Sequence, residues 1–565
     1  MITPHLKSEI VLGEYFSNIG ELLLRNREEF GQSNGFAQRN GDTYSYWNWN
    51  QIVGDILKLS SYLADQGRIP GERVAIVSTN CYLRFISEMA VMSSGFVSVP
   101  IFPGYPAEKL DKLIDFADVS LVIMEDCEKW KNLNIKEVSH LFLEEISKII
   151  ENQDLSDTKH TQMIKLFGSV SQDDKLLIMY TSGTTRFPKG VMLTHKNILS
   201  QQKSLELLWG LESGRQFLCY LPWHHSFGGL FERFLAVYNG GCLAIDDSMG
   251  KDIDRLIDNF SLIKPDIYFS VPQVYQQIAG KVCSSKESEE IFFHKDLKFV
   301  FTAAAPLPIS TSNVFKEHMV PVIEGWGLTE TSPCCTLTEQ SLERTAGIVG
   351  FPIPEVEVKL SEENEILIKG PNVMQGYFNN ETATSKVFDS EGWFKTGDVG
   401  IFTDEGVKII SRIDRIFKLA NAEKVYPVGI EEKIRKKCGF IGHIYILGSG
   451  EPSPLALIFP NYELLKKHEK KLNLPTCKKP EGLACFQDCF HQCLEEINLE
   501  LQAKFERVKR AVIIDRTLSI DSGELTPSMK LVPRIIEENY KQYIDCLKNN
   551  NFDDLPSDGY LINIS

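Results

Sequence analysis

Along most of the chain, apolar residues gather in short unbroken runs, and amphipathic pieces of helical length lie between them. Leu176, Leu177, Ile178 and Met179 form one such run, the signature of a strand buried on both faces. The pattern predicts strands over 73–78, 96–101 and 119–124, with helices over 82–92 and around 111–116 between them. After residue 190 the rhythm resumes, with a helix over about 196–209 and strands over 266–270 and 298–302. This βαβ alternation implies an α/β fold of doubly wound, mostly parallel sheets, with ligands at the carboxyl ends of the strands. Past a strand at 407–410, strand-like pieces at 444–447, 455–459 and 511–514 and helices near 485–508 predict a second, compact α+β domain. Residues 548–565 are Asn/Asp-rich with little periodicity, and a loosely held tail is expected there.

The run ending at Met179 delivers a polar loop, Tyr-Thr-Ser-Gly-Thr-Thr-Arg-Phe-Pro-Lys-Gly over 180–190. It offers hydroxyls at Thr181, Ser182, Thr184 and Thr185, a glycine at Gly183, and the cation Lys189 after a stiffening Pro188. Phosphate oxygens want many short donors and a positive charge, so the composition suits a polyphosphate. A solvated Ser/Thr/Gly linker is the plain alternative, but linkers seldom follow a buried strand. The loop is not that of kinases and GTPases, where lysine is followed by Ser or Thr; here Gly190 and Val191 follow Lys189. It resembles instead the phosphate loop of the adenylate-forming (AMP-binding) superfamily, which includes acyl-CoA synthetases, luciferases and the adenylation domains of peptide synthetases. Arg186 stands where that family usually has glycine.

Six further segments follow in the order the resemblance requires. Pro-Trp-His-His-Ser-Phe-Gly-Gly over 222–229 is similar to the family's segment lining the acyl pocket, with His225 at the matching position. Paired histidines beside aromatics are otherwise ordinary packing residues. His225 then shapes the carboxylate end of the pocket and need not act as a base, since a carboxylic acid is already ionised near neutral pH. Thr-Ala-Ala-Ala-Pro over 302–306 has small side chains, Ala304 among them, that let a flat ring lie on backbone. Gly-Trp-Gly-Leu-Thr-Glu over 325–330 looks like the family's Tyr-Gly-x-Thr-Glu signature. Trp326 replaces the tyrosine that stacks on adenine, Gly327 follows it, and Thr329 with Glu330 supplies hard oxygens for Mg²⁺. Alone, that segment reads equally well as a capped turn with a buried tryptophan. Asp398, in Trp-Phe-Lys-Thr-Gly-Asp, matches the aspartate that binds both ribose hydroxyls; Arg412 and Asp414 match the nucleotide-contacting arginine and the hinge. Finally Leu-Thr-Pro-Ser-Met-Lys over 525–530 resembles the ending of long-chain acyl-CoA synthetases, which makes Lys530 the catalytic lysine. Ser411 and Asn421-Ala422-Glu423 depart from the pattern, the latter where a Gly-rich turn near the CoA tunnel is usual.

Composition adds limits. The chain has 565 residues, 43% hydrophobic and 24% charged, as in an ordinary folded enzyme of more than one domain. A formal charge of −16 argues against a nucleic-acid partner, and the sites for anionic ATP and CoA must be locally basic. The first twenty residues lack a continuous apolar core and no run approaches a membrane span, so a cytoplasmic location is expected. Thirteen scattered cysteines fit reduced thiols. Cys485, Cys489 and Cys493, spaced by four, read as one packing face of a helix, with a metal cluster including His491 as the weaker alternative.

The resemblance implies an adenylation domain over 1–411 that includes a small β-subdomain, a mobile lid over 412–545 and a tail over 546–565. It implies an enzyme that joins a fatty acid to ATP, with Mg²⁺, and passes the acyl group to CoA. The long-chain variant is favoured by the 525–530 segment, by Val-Pro-Gln-Val-Tyr over 271–275 and by Phe-Glu-Arg-Val-Lys over 505–509. A fatty acyl-AMP ligase serving a carrier protein, an aryl or short-chain acid ligase, and a degenerate nucleotide-binding module stay open. Lys466, Lys467, Lys470 and Lys471, with Lys509 and Arg510, would face CoA phosphates, an anionic membrane or plain solvent.

Overall fold

The computed structural model describes residues 5–135, 138–181, 188–303, 305, 307–345, 347–462, 464–465, 484–526 and 529–564. The βαβ reading holds. Arg73–Val77, Val97–Ile101, Leu121–Met124 and Ser139–Phe142 are parallel, joined by helices such as Tyr82–Ser93 and Ala107–Phe116. Lys175–Thr181 adds to Val97–Ile101 in parallel and pairs antiparallel with Lys189–Thr194, the two strands that flank the expected phosphate loop. Gly376–Tyr377 closes that edge of a seven-stranded sheet.

A larger sheet runs through six parallel strands, Asn34–Asn40, Cys242–Ile245, Gln216–Cys219, Ile267–Ser270, Phe299–Thr302 and Val322–Trp326. It continues without a break into antiparallel strands, among them Ile348–Pro352, Gly406–Arg412, Phe394–Thr403 and Glu365–Lys369. These form the expected β-subdomain. The inner faces share one core built around Trp49, Phe85, Leu177, Trp223, Phe231 and Phe301.

The C-terminal sheet has the order Ile441–Leu447, Leu455–Pro460, Arg510–Ile514, Gly559–Asn563. Alternate residues point to opposite faces. Ile444, Ile458 and Ile513 pack under the helices Pro427–Lys437 and Ala484–Glu500. Tyr445, Leu457 and Val512 pack under Pro533–Asn539 and Lys541–Asn549.

Two expectations change here. The terminal residues are not a loose tail: Gly559–Asn563 is an edge strand antiparallel to Arg510–Ile514, with Ala511 opposite Ile562. Tyr560, Ile562 and Ile564 alternate toward the core, and that short period-two pattern is diluted by the surrounding Asn and Asp. The cysteine spacing does not mark the buried stripe of Ala484–Glu500 either. Phe490, Leu494 and Ile497 form that stripe; Cys489 is exposed, Cys493 packs against its edge with its thiol hydrogen-bonded to that of Cys438, and the Cys485 side chain lies outside the described residues.

At 419–423 the chain turns tightly, and Ala422 sits at φ +66°, where a Cβ is strained. Ala422→Gly is expected to stabilise the second domain by about 1 kcal/mol, read as an upward shift of the denaturant midpoint.

Candidate functional site

Thr181 pairs directly with Lys189, so both ends of the phosphate loop leave from one rung of the hairpin. Ser182, Gly183, Thr184 and Thr185 lie outside the described residues, as do Arg186 and Ala304. The Lys189 ammonium stands 4.6 Å from the ring centre of Tyr377. The Tyr377 hydroxyl donates to Glu330 Oε1 at 2.8 Å. Glu330 belongs to the turn Thr329–Thr331 that follows the strand Val322–Trp326, and its carbonyl accepts from the Met374 N–H at 2.9 Å. Thr329 Oγ1 lies 3.2 Å from Ser226 Oγ, tying this turn to the histidine segment. Only glycine fits at 327, because a Cβ there would fall 1.9 Å from the carbonyl oxygen of Pro333.

Asp398 and Arg412 are directly opposite on antiparallel strands. The Arg412 guanidinium donates to Asp398 Oδ1 at 3.0 Å, and the Trp326 indole N–H donates to Oδ2 at 2.9 Å. Asp398 is buried, and burial pushes its carboxyl above the ordinary range against the pull of Arg412 and Trp326. Trp326 is half-buried and held at its N–H edge. Gly397, at φ +72°, makes room for the guanidinium, which would lie 3.0 Å from an added Cβ.

His225 accepts the Phe227 N–H at Nδ1 (3.3 Å), which leaves Nε2 to carry a proton. Burial, then the nearby Lys530 charge, lower its pKa to about 4, so the ring is neutral at pH 7. From Nε2 it can offer a hydrogen bond rather than a charge. A π-helix, Phe227–Glu232, follows at once, a form often found at functional sites.

Lys530 comes from the second domain. It rides a small hairpin in which Thr526 N–H donates to the Lys530 carbonyl at 2.8 Å and Leu525 bridges Leu531. Met529, at φ +60°, turns the chain. Glu524 anchors the hairpin by accepting from Tyr540 at 2.9 Å and Ser522 at 2.7 Å. Lys530 is exposed to solvent, with Asp398 and Arg412 of the large domain within electrostatic reach. Desolvation by the surrounding protein lowers its ammonium pKa, Asp398 raises it in part, and Arg412 lowers it further. The structure thus brings Lys530, Asp398, Arg412, Trp326 and His225 to one place, with Glu330 and Lys189 held beside each other by Tyr377.

Asp414 is exposed in the single turn Ile413–Arg415, with its carboxylate 3.8 Å from Arg412. Arg412 is bound to Asp398 in the large domain, whereas Arg415 is bound to Glu431 at 2.5 Å and lies 4.4 Å over the Tyr445 ring in the second domain.

The sequence profile of the AMP-binding enzyme family matches residues 30–378, and that of the AMP-binding enzyme C-terminal domain matches residues 414–551. The chain belongs to the AMP-binding enzyme family. Among curated relatives of this AMP-binding enzyme is long-chain-fatty-acid–CoA ligase 5 of Rattus norvegicus, 27% identical over 86% of this chain and 82% of the relative. Among solved structures, ATP-bound MatB from Rhodopseudomonas palustris matches with a TM-score of 0.74 at 20% identity, covering 93% of this chain and 99% of that one. O-succinylbenzoate coenzyme A synthetase (MenE) from Bacillus subtilis, in complex with ATP and magnesium ion, matches with a TM-score of 0.72 at 18% identity, covering 92% and 99%. These two establish the fold.

In this AMP-binding enzyme, the donors around Glu330 suit a hard cation. Glu330 Oε1 is taken by Tyr377, and no described residue donates to its other oxygen. No cluster of three His, Cys, Asp or Glu occurs among the described residues, so a cation here would rest on one carboxylate and on phosphate oxygens, as Mg²⁺ commonly does. Sequence reasoning passed over Tyr377: its setting, Gln-Gly-Tyr-Phe, reads as a turn, and only pairing with Val191 and Met192 puts it beside the phosphate loop.

Proposed function

We propose that this AMP-binding enzyme is an acyl-CoA synthetase that activates a long-chain fatty acid with ATP. The carboxylate attacks the α-phosphorus to give acyl-AMP and pyrophosphate, and the CoA thiol then attacks the acyl carbonyl to give acyl-CoA and AMP. The observation that carries this reading is the position of Lys530, delivered by the second domain to Asp398, Arg412 and His225. Two anions must meet at one phosphorus, and a fixed cation there lowers the cost of their approach.

Each residue has a part in that reading. Asp398 accepts from the ribose diol, Trp326 covers adenine, and Arg412 contacts the nucleotide. Thr181, Ser182, Gly183, Thr184, Thr185 and Lys189 cradle the phosphates, and Ala304 and Gly327 keep backbone close to the base. Glu330 and Thr329 would hold Mg²⁺, which neutralises phosphate charge. Neutral His225 donates from Nε2 to the acid. Asp414 is the hinge between domains over 1–411 and 412–545. The long-chain assignment draws support from the fatty-acid ligases among the relatives and from the 525–530 segment.

A panel of acids from acetate to oleate, each with ATP, Mg²⁺ and CoA, tests the reading. Oleate and its neighbours are expected to give thioester at least about tenfold faster than acetate or an aryl acid, since a long apolar pocket gains on each buried methylene. A preference for the short or aryl acids sinks the chain-length assignment. Acyl-AMP without thioester points to a carrier-protein acceptor.

A further inference from the structure

Lys189 and Glu330 carry opposite charges on either side of one phenol. The ammonium lies 4.6 Å from the Tyr377 ring centre, and the carboxylate accepts the hydroxyl at 2.8 Å. Without an intervening group, a cation and an anion this close would close into an ion pair, and each would be spent on the other before a phosphate arrived. Tyr377 satisfies both through separate faces: the π-cloud takes the ammonium, and the O–H takes the carboxylate.

Its own position is fixed three ways. The strand Gly376–Tyr377 pairs with Val191 and Met192, its N–H donates to Thr384 Oγ1 at 2.9 Å, and the next residue, Phe378, donates to the Gly190 carbonyl at 2.7 Å. The backbone of Glu330 is tied to the same segment through Met374.

We infer that Tyr377 is a positioning residue for the triphosphate: it holds Lys189 and Glu330 apart and aimed, one toward phosphate oxygens and the other toward the cation that bridges them. This rests on the ATP-dependent reading above. It concerns the β- and γ-phosphates alone, because that reading assigns the nucleoside end to Asp398 and Trp326, which are bonded to each other elsewhere.

The test compares ATP with Mg²⁺ against AMP by calorimetry on the full chain. Tyr377→Phe keeps the ring under Lys189 and removes only the donor to Glu330. ATP affinity is expected to fall about tenfold, the usual worth of a hydrogen bond to a charged group, while AMP affinity stays within about twofold. Tyr377→Leu removes both contacts and should weaken ATP further. Should leucine unfold the edge strand, phenylalanine carries the test, with an unchanged melting temperature as its control. Equal loss for ATP and AMP would mean a merely structural role and overturn the inference, as would unchanged ATP binding by Tyr377→Phe. A wild-type chain that binds no ATP overturns the proposed function itself and this inference with it; wild-type binding with an indifferent Tyr377→Phe overturns only the inference.

Discussion

Lys530→Ala is expected to lower acid-dependent ATP–pyrophosphate exchange by about 10² or more, while thioester formation from supplied acyl-AMP continues near the wild-type rate. The asymmetry follows from charge. In the first step a carboxylate approaches a phosphorus already ringed by negative oxygens, and the Lys530 ammonium, set among Asp398, Arg412 and His225, is placed to offset that repulsion. In the second step a thiol attacks a carbonyl, the crowding at phosphorus is over, and the ammonium has less to do. Exchange measured with labelled pyrophosphate and thioester measured from synthetic acyl-AMP separate the two. Equal losses would mean that Lys530 supports the fold or serves both steps, and the assignment would fail.

The same residue sets a pH dependence. Crowding lowers the folded pKa of Lys530 below its ordinary value. The ammonium is present below that pKa and is lost as pH rises through it, so exchange should fall on an alkaline limb that begins below the usual lysine range near 10.4. Lys530→Arg keeps its charge throughout and should lack that limb at whatever reduced rate it retains. His225, with its pKa near 4, should add no inflection between pH 6 and 8.

What could be read from the sequence divides along a physical line. The strands buried on both faces, such as Lys175–Thr181 and Val97–Ile101, announce themselves as apolar runs because no face needs polar residues. Asp398, Arg412 and Lys530 were found through short segments whose residue types match a chemical task. Their convergence was not legible, since it depends on the register that sets Asp398 opposite Arg412 and on the docking of a separate domain. Tyr377 was missed for a related reason: its partners are 188 and 47 positions away, as its numbering against Lys189 and Glu330 shows, and nothing local marks them. The terminal strand Gly559–Asn563 was hidden by composition, because five residues of alternation are outweighed by their Asn and Asp neighbours.

Asp414→Pro is expected to cut CoA transfer more than about tenfold and to leave pyrophosphate exchange within about threefold of wild type. Arg412 and Arg415 are three positions apart in the chain but anchored to different bodies, one to Asp398 and the other to Glu431. Any swing of the second domain must be absorbed between them, at Ile413 and Asp414, both of which are exposed. Between the two domains lies an open groove of about 350 Å³, with Phe102 and Gly104 on one side and Leu518, Ser519, Ile520, Asp521, Leu525 and Met529 on the other. Proline fixes φ at its own position and pushes the preceding residue out of the helical region, which removes the freedom a hinge requires. Asp414→Ala is the control. It deletes a carboxylate whose exposed 3.8 Å pairing with Arg412 contributes little, but it leaves the backbone free, so both steps should continue near the wild-type rate. If proline and alanine impair CoA transfer alike, the carboxylate matters and the hinge does not; if proline is harmless, the rotation occurs elsewhere. Only a large effect of proline, confined to the thioester step, places the pivot between Arg412 and Arg415.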